Sequence, residues 1–115
     1  MKFLSPKVHG MLDYAVILVF IGAPSAFGLV GIEAKLSYAL AAIHLALTLL
    51  TDFPCGAFRT IPLSIHGWIE LAVAPTIIAT PWIFSFGTHA RAFYIAAGAV
   101  IFITWCVTDY GTSSR

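Results

Sequence analysis

The chain reads as an all-α membrane protein of four transmembrane helices, built as two tandem, parallel helical-hairpin repeats. Three observations predict this class: an apolar, charge-poor composition, four apolar runs of spanning length, and internal self-similarity with a period of 57 residues. The 115 residues are 60% hydrophobic and only 10% charged, with a mean hydropathy of +0.95. A soluble domain carries about 25% charged residues because its surface faces water. Six basic and five acidic side chains cannot coat a chain of this length, so lipid is the solvent that suits it. A net charge of +1 offers no basic face for nucleic acid. Cys55 and Cys106 match no metal, redox or disulfide spacing.

The first apolar run extends from about Gly10 to Val30, behind Lys2 and Lys7. It is too long for a signal-peptide core, carries Asp13 early and lacks a cleavage site, so it is expected to stay as a helix. The second runs from Leu36 to Phe53, after the break Gly31-Ile32-Glu33-Ala34-Lys35. Pro54-Cys55-Gly56, followed by Arg59, separates it from the third, Pro62 to Phe86. Gly87-Thr88-His89-Ala90 leads into the fourth, Arg91 to Tyr110. No soluble domain fits between them, and residues 1–115 form one transmembrane domain. Pro24, Pro75 and Pro81 are expected to kink helices one and three, freeing carbonyls that neighbouring helices must satisfy. Small residues at 39–42 and 96–99 are expected to bring helices two and four together. Lys2, Lys7, Arg59 and Arg115 share the end that holds both termini, against Lys35 and Arg91 at the other. That excess predicts cytoplasmic termini.

Offsetting the chain by 57 residues aligns it with itself without a gap, with eleven identities in the forty-five pairs from residue 9 to residue 53. His9-Gly10 falls on His66-Gly67, Asp13 on Glu70, Pro24 on Pro81, and Thr51-Asp52-Phe53 on Thr108-Asp109-Tyr110. Apolar coincidences are cheap in a membrane protein, but these polar matches are not. The repeats span about residues 7–53 and 64–110, and three positions break the equivalence: His44 pairs with Ile101, Thr48 with Trp105 and Ser25 with Trp82.

Each copy resembles the SPW repeat of small bacterial integral membrane proteins. The second copy carries Ala79-Thr80-Pro81-Trp82 after His66-Gly67-Trp68-Ile69-Glu70, and the first carries Ala23-Pro24-Ser25 after His9-Gly10-Met11-Leu12-Asp13. Thr stands for Ser in one copy, and Trp is missing from the other. The resemblance implies a bacterial inner-membrane location and a two-helix unit. It implies no established activity and supplies no catalytic residues.

Asp13, Glu70, Asp52 and Asp109 all belong to the end of the bundle that holds the termini, together with His9 and His66. His9 with Asp13, and His66 with Glu70, are spaced i and i+4, so each pair shares a helix face. The plainest reading is a structural or accessory membrane subunit, in which Asp52 and Asp109 clamp the two His-Gly helix starts. The alternative is a divalent metal site made from His9, Asp13, Asp52, His66, Glu70 and Asp109, whose donor types suit Zn²⁺, Mn²⁺ or Fe²⁺. A third is a proton or ion path along His44, Thr48 and Asp52, spaced every four residues on helix two. Haem would use His44 as an axial ligand, but the remaining histidines, His9, His66 and His89, are read as lying near the faces. No nucleophile–base set, phosphate loop or dinucleotide fingerprint is present, so no enzyme is expected. The expected surroundings are the lipid bilayer and, for so small a bundle, further copies of the chain.

Overall fold

The computed structural model describes residues 2–111. Arg115, counted above for orientation, lies outside them. Four helices form: α1 (Pro6–Phe27), α2 (Ile32–Leu50), α3 (Leu63–Ile83) and α4 (Thr88–Val107). Their 19–22 residues give lengths of about 28–33 Å, which match a hydrocarbon core of about 30 Å. Two-residue strands β1 (Thr51–Asp52) and β2 (Ile61–Pro62) close the linker between the halves.

The helices begin and end about three residues before most of the apolar runs do. Pro6 opens α1 at a position where its missing N–H is no loss, and the Ser5 hydroxyl accepts from Val8 N at 3.3 Å. Gly28 closes α1 at φ 64°, a left-handed conformation that side chains resist. At the other ends Thr51 and Thr108 turn extended, although the apolar runs continue to Phe53 and Tyr110. Hydropathy records what is buried or faces lipid, and it does not mark the residue at which the backbone leaves the helix.

α1 packs on α2 and α3 on α4, giving two hairpins joined mainly through α1 and α4. The core between them holds Ile17, Phe20, Ala23, Ala74, Ile77, Phe93, Tyr94 and Ile101. The outer faces leave large apolar side chains bare, such as Leu18 at 67% and Ile103 at 59% exposure. Water would oppose such a surface and lipid does not. All four helices are long and apolar enough to cross a membrane. Trp68 lies near Trp105 by the termini, and Trp82 lies under Arg91 at the opposite end, as interfacial aromatics do.

The small residues do not join α2 to α4. Gly98 instead lets α4 approach α3, where a Cβ would sit 2.8 Å from Ala74 O. A backbone contact this close needs only one small residue, so the runs of alanine overstated their importance.

The repeat extends to the backbone pairing at the terminal end. Leu4 bridges Thr108 in parallel, and Ile61 bridges Thr51 in the same sense. These pairs are equivalent under the 57-residue offset. Each half therefore hydrogen-bonds its own start to the other half's last helix, or its own last helix to the other half's start.

Pro24 cannot donate to Phe20 O, and the Ser37 hydroxyl of α2 takes that carbonyl at 2.7 Å. Both partners are buried where no water competes. Ser37→Ala is expected to lower stability by about 1 kcal/mol in detergent unfolding titrations. An unchanged midpoint would mean that Phe20 O finds another partner.

Candidate metal centre

The helix starts and ends meet at one buried polar centre. His9 stands in the first turn of α1, and His66 in the first turn of α3. The following glycines make room for this. A Cβ at Gly10 would lie 2.6 Å from Cys55 Cβ, and one at Gly67 would lie 2.9 Å from the Tyr110 ring. Each His-Gly start is thus pressed under the extended segment that follows a helix, with Phe53 5.7 Å from His66 and Tyr110 5.7 Å from His9, ring to ring.

His9 Nδ1 lies 2.7 Å from Thr108 Oγ1, and His66 Nδ1 lies 2.7 Å from Thr51 Oγ1. Both threonine hydroxyls spend their only proton inside their own helix, Thr51 on Leu47 O and Thr108 on Thr104 O, each at 2.6 Å. They can only accept from the imidazoles. Both Nδ1 atoms therefore carry hydrogen, and both Nε2 atoms are turned to the centre.

There they meet carboxylates from both repeats. His66 Nε2 is 2.6 Å from Glu70 Oε1 and 3.2 Å from Asp13 Oδ2; His9 Nε2 is 3.0 Å from Glu70 Oε1 and 3.3 Å from Asp13 Oδ1. The i, i+4 pairs form as spaced, but each imidazole also reaches the other repeat's acid. One ligand atom from each of His9, Asp13, His66 and Glu70 can be chosen so that all four lie within 4.8 Å of one another. All four residues are almost wholly buried. Asp13 Oδ2 and Glu70 Oε2 make no aligned hydrogen bond, the 3.2 Å approach of His66 to Asp13 included.

Asp52 and Asp109 are not in that group, and the imidazoles take the threonine just before each of them. The cause is local. Side chains alternate along an extended chain, so Thr51 and Phe53 turn inward and fully buried while Asp52 between them is half-buried. Asp109 follows Thr108 in the same way, and its Oδ1 accepts from Gly111 N at 3.1 Å. The stripe read along helix two also stops short: His44 and Thr48 are buried on α2, but α2 ends at Leu50 and Asp52 lies in β1.

His44 joins the same centre. Its Nε2 is 3.4 Å from Asp13 Oδ1 and 3.9 Å from Glu70 Oε1, without hydrogen-bond alignment to either. The end of α2 at Leu50, three residues before its apolar run ends, brings His44 level with the carboxylates. His44 is six residues, about 9 Å, from that end, and Asp13 is seven residues, about 10 Å, into α1. All three imidazoles face the carboxylates of Asp13 and Glu70. His89, the fourth histidine, is exposed at the start of α4.

These four donors could hold a metal ion. Metal bonds of about 2.0–2.2 Å place neighbouring ligand atoms about 2.8–3.6 Å apart in octahedral or tetrahedral geometry. Three of the four close N···O separations fall in that range. The fourth, His66 to Glu70, has the length of a strong hydrogen bond.

Compared with known proteins, the chain matches no family model, no curated protein and no solved structure.

Outside the membrane-spanning segments, two titratable groups border the centre. Burial, with the charges of Glu70 and Asp13, pushes the Tyr110 phenol far above its usual range. Burial also raises the Cys55 thiol, helped by the Asp13 charge and partly offset by Lys7. A raised thiol holds less thiolate at a given pH. In a Cys106→Ala background, alkylation of Cys55 by iodoacetamide is expected to rise with a midpoint above the free-thiol value of about 8.5. A midpoint at or below that value would show that Asp13 and burial do not govern Cys55.

Proposed function

We propose that this membrane protein binds a divalent transition-metal ion through Nε2 of His9 and His66 and the carboxylates of Asp13 and Glu70. One observation carries the reading: both Nδ1–H groups are committed to threonines, so both Nε2 atoms are held toward carboxylates. A neutral imidazole in that tautomer aims a lone pair at an anion. The contact is stable only with two added protons or with a cation between the groups. Two carboxylates and one divalent ion sum to zero charge, which suits a buried site in lipid. The threonines then do for the imidazoles what outer-sphere acceptors do at known metal sites, setting the tautomer and ring orientation. The donor set suits Zn²⁺, Mn²⁺ or Fe²⁺.

The protonated form of the same four groups is the second reading. It is also charge-neutral, ties α1 to α3, and corresponds to a structural or accessory subunit that needs no ion. The metal reading is favoured by the carboxylate oxygens Asp13 Oδ2 and Glu70 Oε2, which two protons leave without aligned partners. Membership of the SPW-repeat family, a bacterial inner membrane and cytoplasmic termini complete the proposal. The excess of basic residues at the terminal end supports that orientation. The centre then takes its ion from the cytoplasmic side.

The test is metal content and affinity of the detergent-purified protein beside the His9→Ala/His66→Ala variant. About one ion per chain is expected in the wild type, and little in a variant whose helical spectrum is retained. Because each ion displaces two protons, affinity should fall by up to about 100-fold per pH unit on acidification. No binding of Zn²⁺, Mn²⁺ or Fe²⁺ by folded wild type would leave the protonated clamp instead. Thr51→Val and Thr108→Val should each weaken metal affinity by about 10–100-fold by releasing an imidazole. Unchanged affinity in both would sink the tautomer argument.

A further inference from the structure

His44 is the histidine of the buried centre that the four-ligand reading does not use. Its side chain is nine-tenths buried, and its Nε2 makes no hydrogen bond. That atom stands 3.4 Å from Asp13 Oδ1 and 3.9 Å from Glu70 Oε1, close to both acids and aligned with neither. In a hydrogen bond the N–H points along the line to its acceptor. Two ligands of one ion differ in this respect, because both lone pairs point at the ion and not at each other. They are near neighbours without alignment. With metal bonds of about 2.0–2.2 Å, ligand atoms of one ion stand at most about 4.4 Å apart. Both separations from His44 Nε2 fall within that limit.

Position 44 is also a place where the repeat is broken. Its equivalent, Ile101, is buried in the core, so a hydrocarbon suits this position in the other half of the bundle. An imidazole nitrogen buried there without a partner carries a desolvation cost that isoleucine does not. Bonding to a cation removes that cost. The residue type fits as well. Two carboxylates already balance a divalent ion, so a third acid or a lysine would leave the set charged, whereas a neutral imidazole does not. His44 lies outside the group whose ligand atoms are all within 4.8 Å of one another, so its ring must turn inward to join them. Among the described residues no hydroxyl holds its Nδ1 as Thr108 and Thr51 hold those of His9 and His66, so no such bond fixes the ring.

We infer that His44 is a fifth ligand of the proposed metal centre, completing a set of three imidazoles and two carboxylates, and that it selects ions favouring nitrogen donors. The inference rests on the metal reading and deepens it. Imidazole suits Fe²⁺ and Zn²⁺, whereas oxygen donors suit Mn²⁺, so a third imidazole narrows the class of ion. The selection comes from the first repeat alone, because the second has only hydrocarbon at the matching position.

The experiment loads the detergent-purified full chain with Co²⁺, a nitrogen-favouring ion whose visible absorption is strong with four ligands and weaker with five. Wild type is compared with His44→Ile, which copies the side chain that the second repeat buries at the equivalent position. The variant should gain the stronger four-ligand band and lose Co²⁺ affinity by about 100-fold or more, beyond what loss of an outer-sphere partner causes. Its Mn²⁺ affinity should fall by less, so the wild-type preference for Co²⁺ over Mn²⁺ shrinks. A second measurement needs no variant. In wild type with ¹⁵N-labelled histidine and one ¹¹³Cd²⁺ per chain, three imidazole nitrogens should show coupling to the metal. Coupling to two nitrogens only would overturn the inference, as would a Co²⁺ band and an ion preference unchanged in folded His44→Ile. Either result, with metal still bound, fails this inference and leaves the four-ligand reading standing. Folded wild type that holds none of these ions fails both.

Discussion

The hydrogen bond from each histidine Nδ1–H to a threonine at the end of another helix is the contact on which the rest of the structure turns. It joins the start of α1 to the end of α4 and the start of α3 to the end of α2, so every helix is held at the terminal end. It also decides which face of each imidazole meets the carboxylates. The threonine accepts only because its own proton is taken by the carbonyl four residues back, so the tautomer is ultimately set by the last turn of a helix. Helix geometry and imidazole chemistry are thereby one problem.

Lipid makes that problem stringent. In water, a mismatch between a lone pair and a carboxylate is relieved by solvent; within a bundle, the group must be neutral as a set. Two acids and two imidazoles are neutral with two protons or with one divalent ion, and with little else. The same solvent explains why the centre begins in the first turn of α1 and α3, at His9 and His66, and reaches the acids one turn further in. At that depth the imidazoles are fully buried, yet the extended residues after α2 and α4 can still reach over them.

Duplication places the centre near the pseudo-two-fold axis, because residues from both copies must converge for the charges to balance. The far end of the bundle is organised differently. Glu33 links the two turns, accepting from Val30 N and Gly87 N, while its carbonyl accepts from the Tyr94 hydroxyl. Glu33 falls on Ala90 in the other repeat, so this carboxylate link is not duplicated. Symmetry is kept where charge must be balanced and lost where only packing and a turn must be closed. The exchange of His44 for Ile101 is the exception, since it places asymmetry against the centre itself.

Composition alone pointed to a bilayer, because too few charges exist to face water. Run lengths determined four helices, and the polar matches at a 57-residue offset determined two hairpins and paired His9 with His66 and Asp13 with Glu70. Those four residues were legible because polar groups that recur in an apolar repeat stand out. What the sequence could not reveal depended on where helices stop. Thr51 and Thr108 were visible only as part of a repeated Thr-Asp, and the acid drew attention because charge is the stronger chemical signal. The chain turns extended one residue earlier, alternation sends the threonine inward, and so the hydroxyl became the partner. The depth of His44 hung on the same three residues of α2. Tertiary structure decided these points because a side chain's direction reverses with each residue of extended backbone, and hydropathy does not record that change.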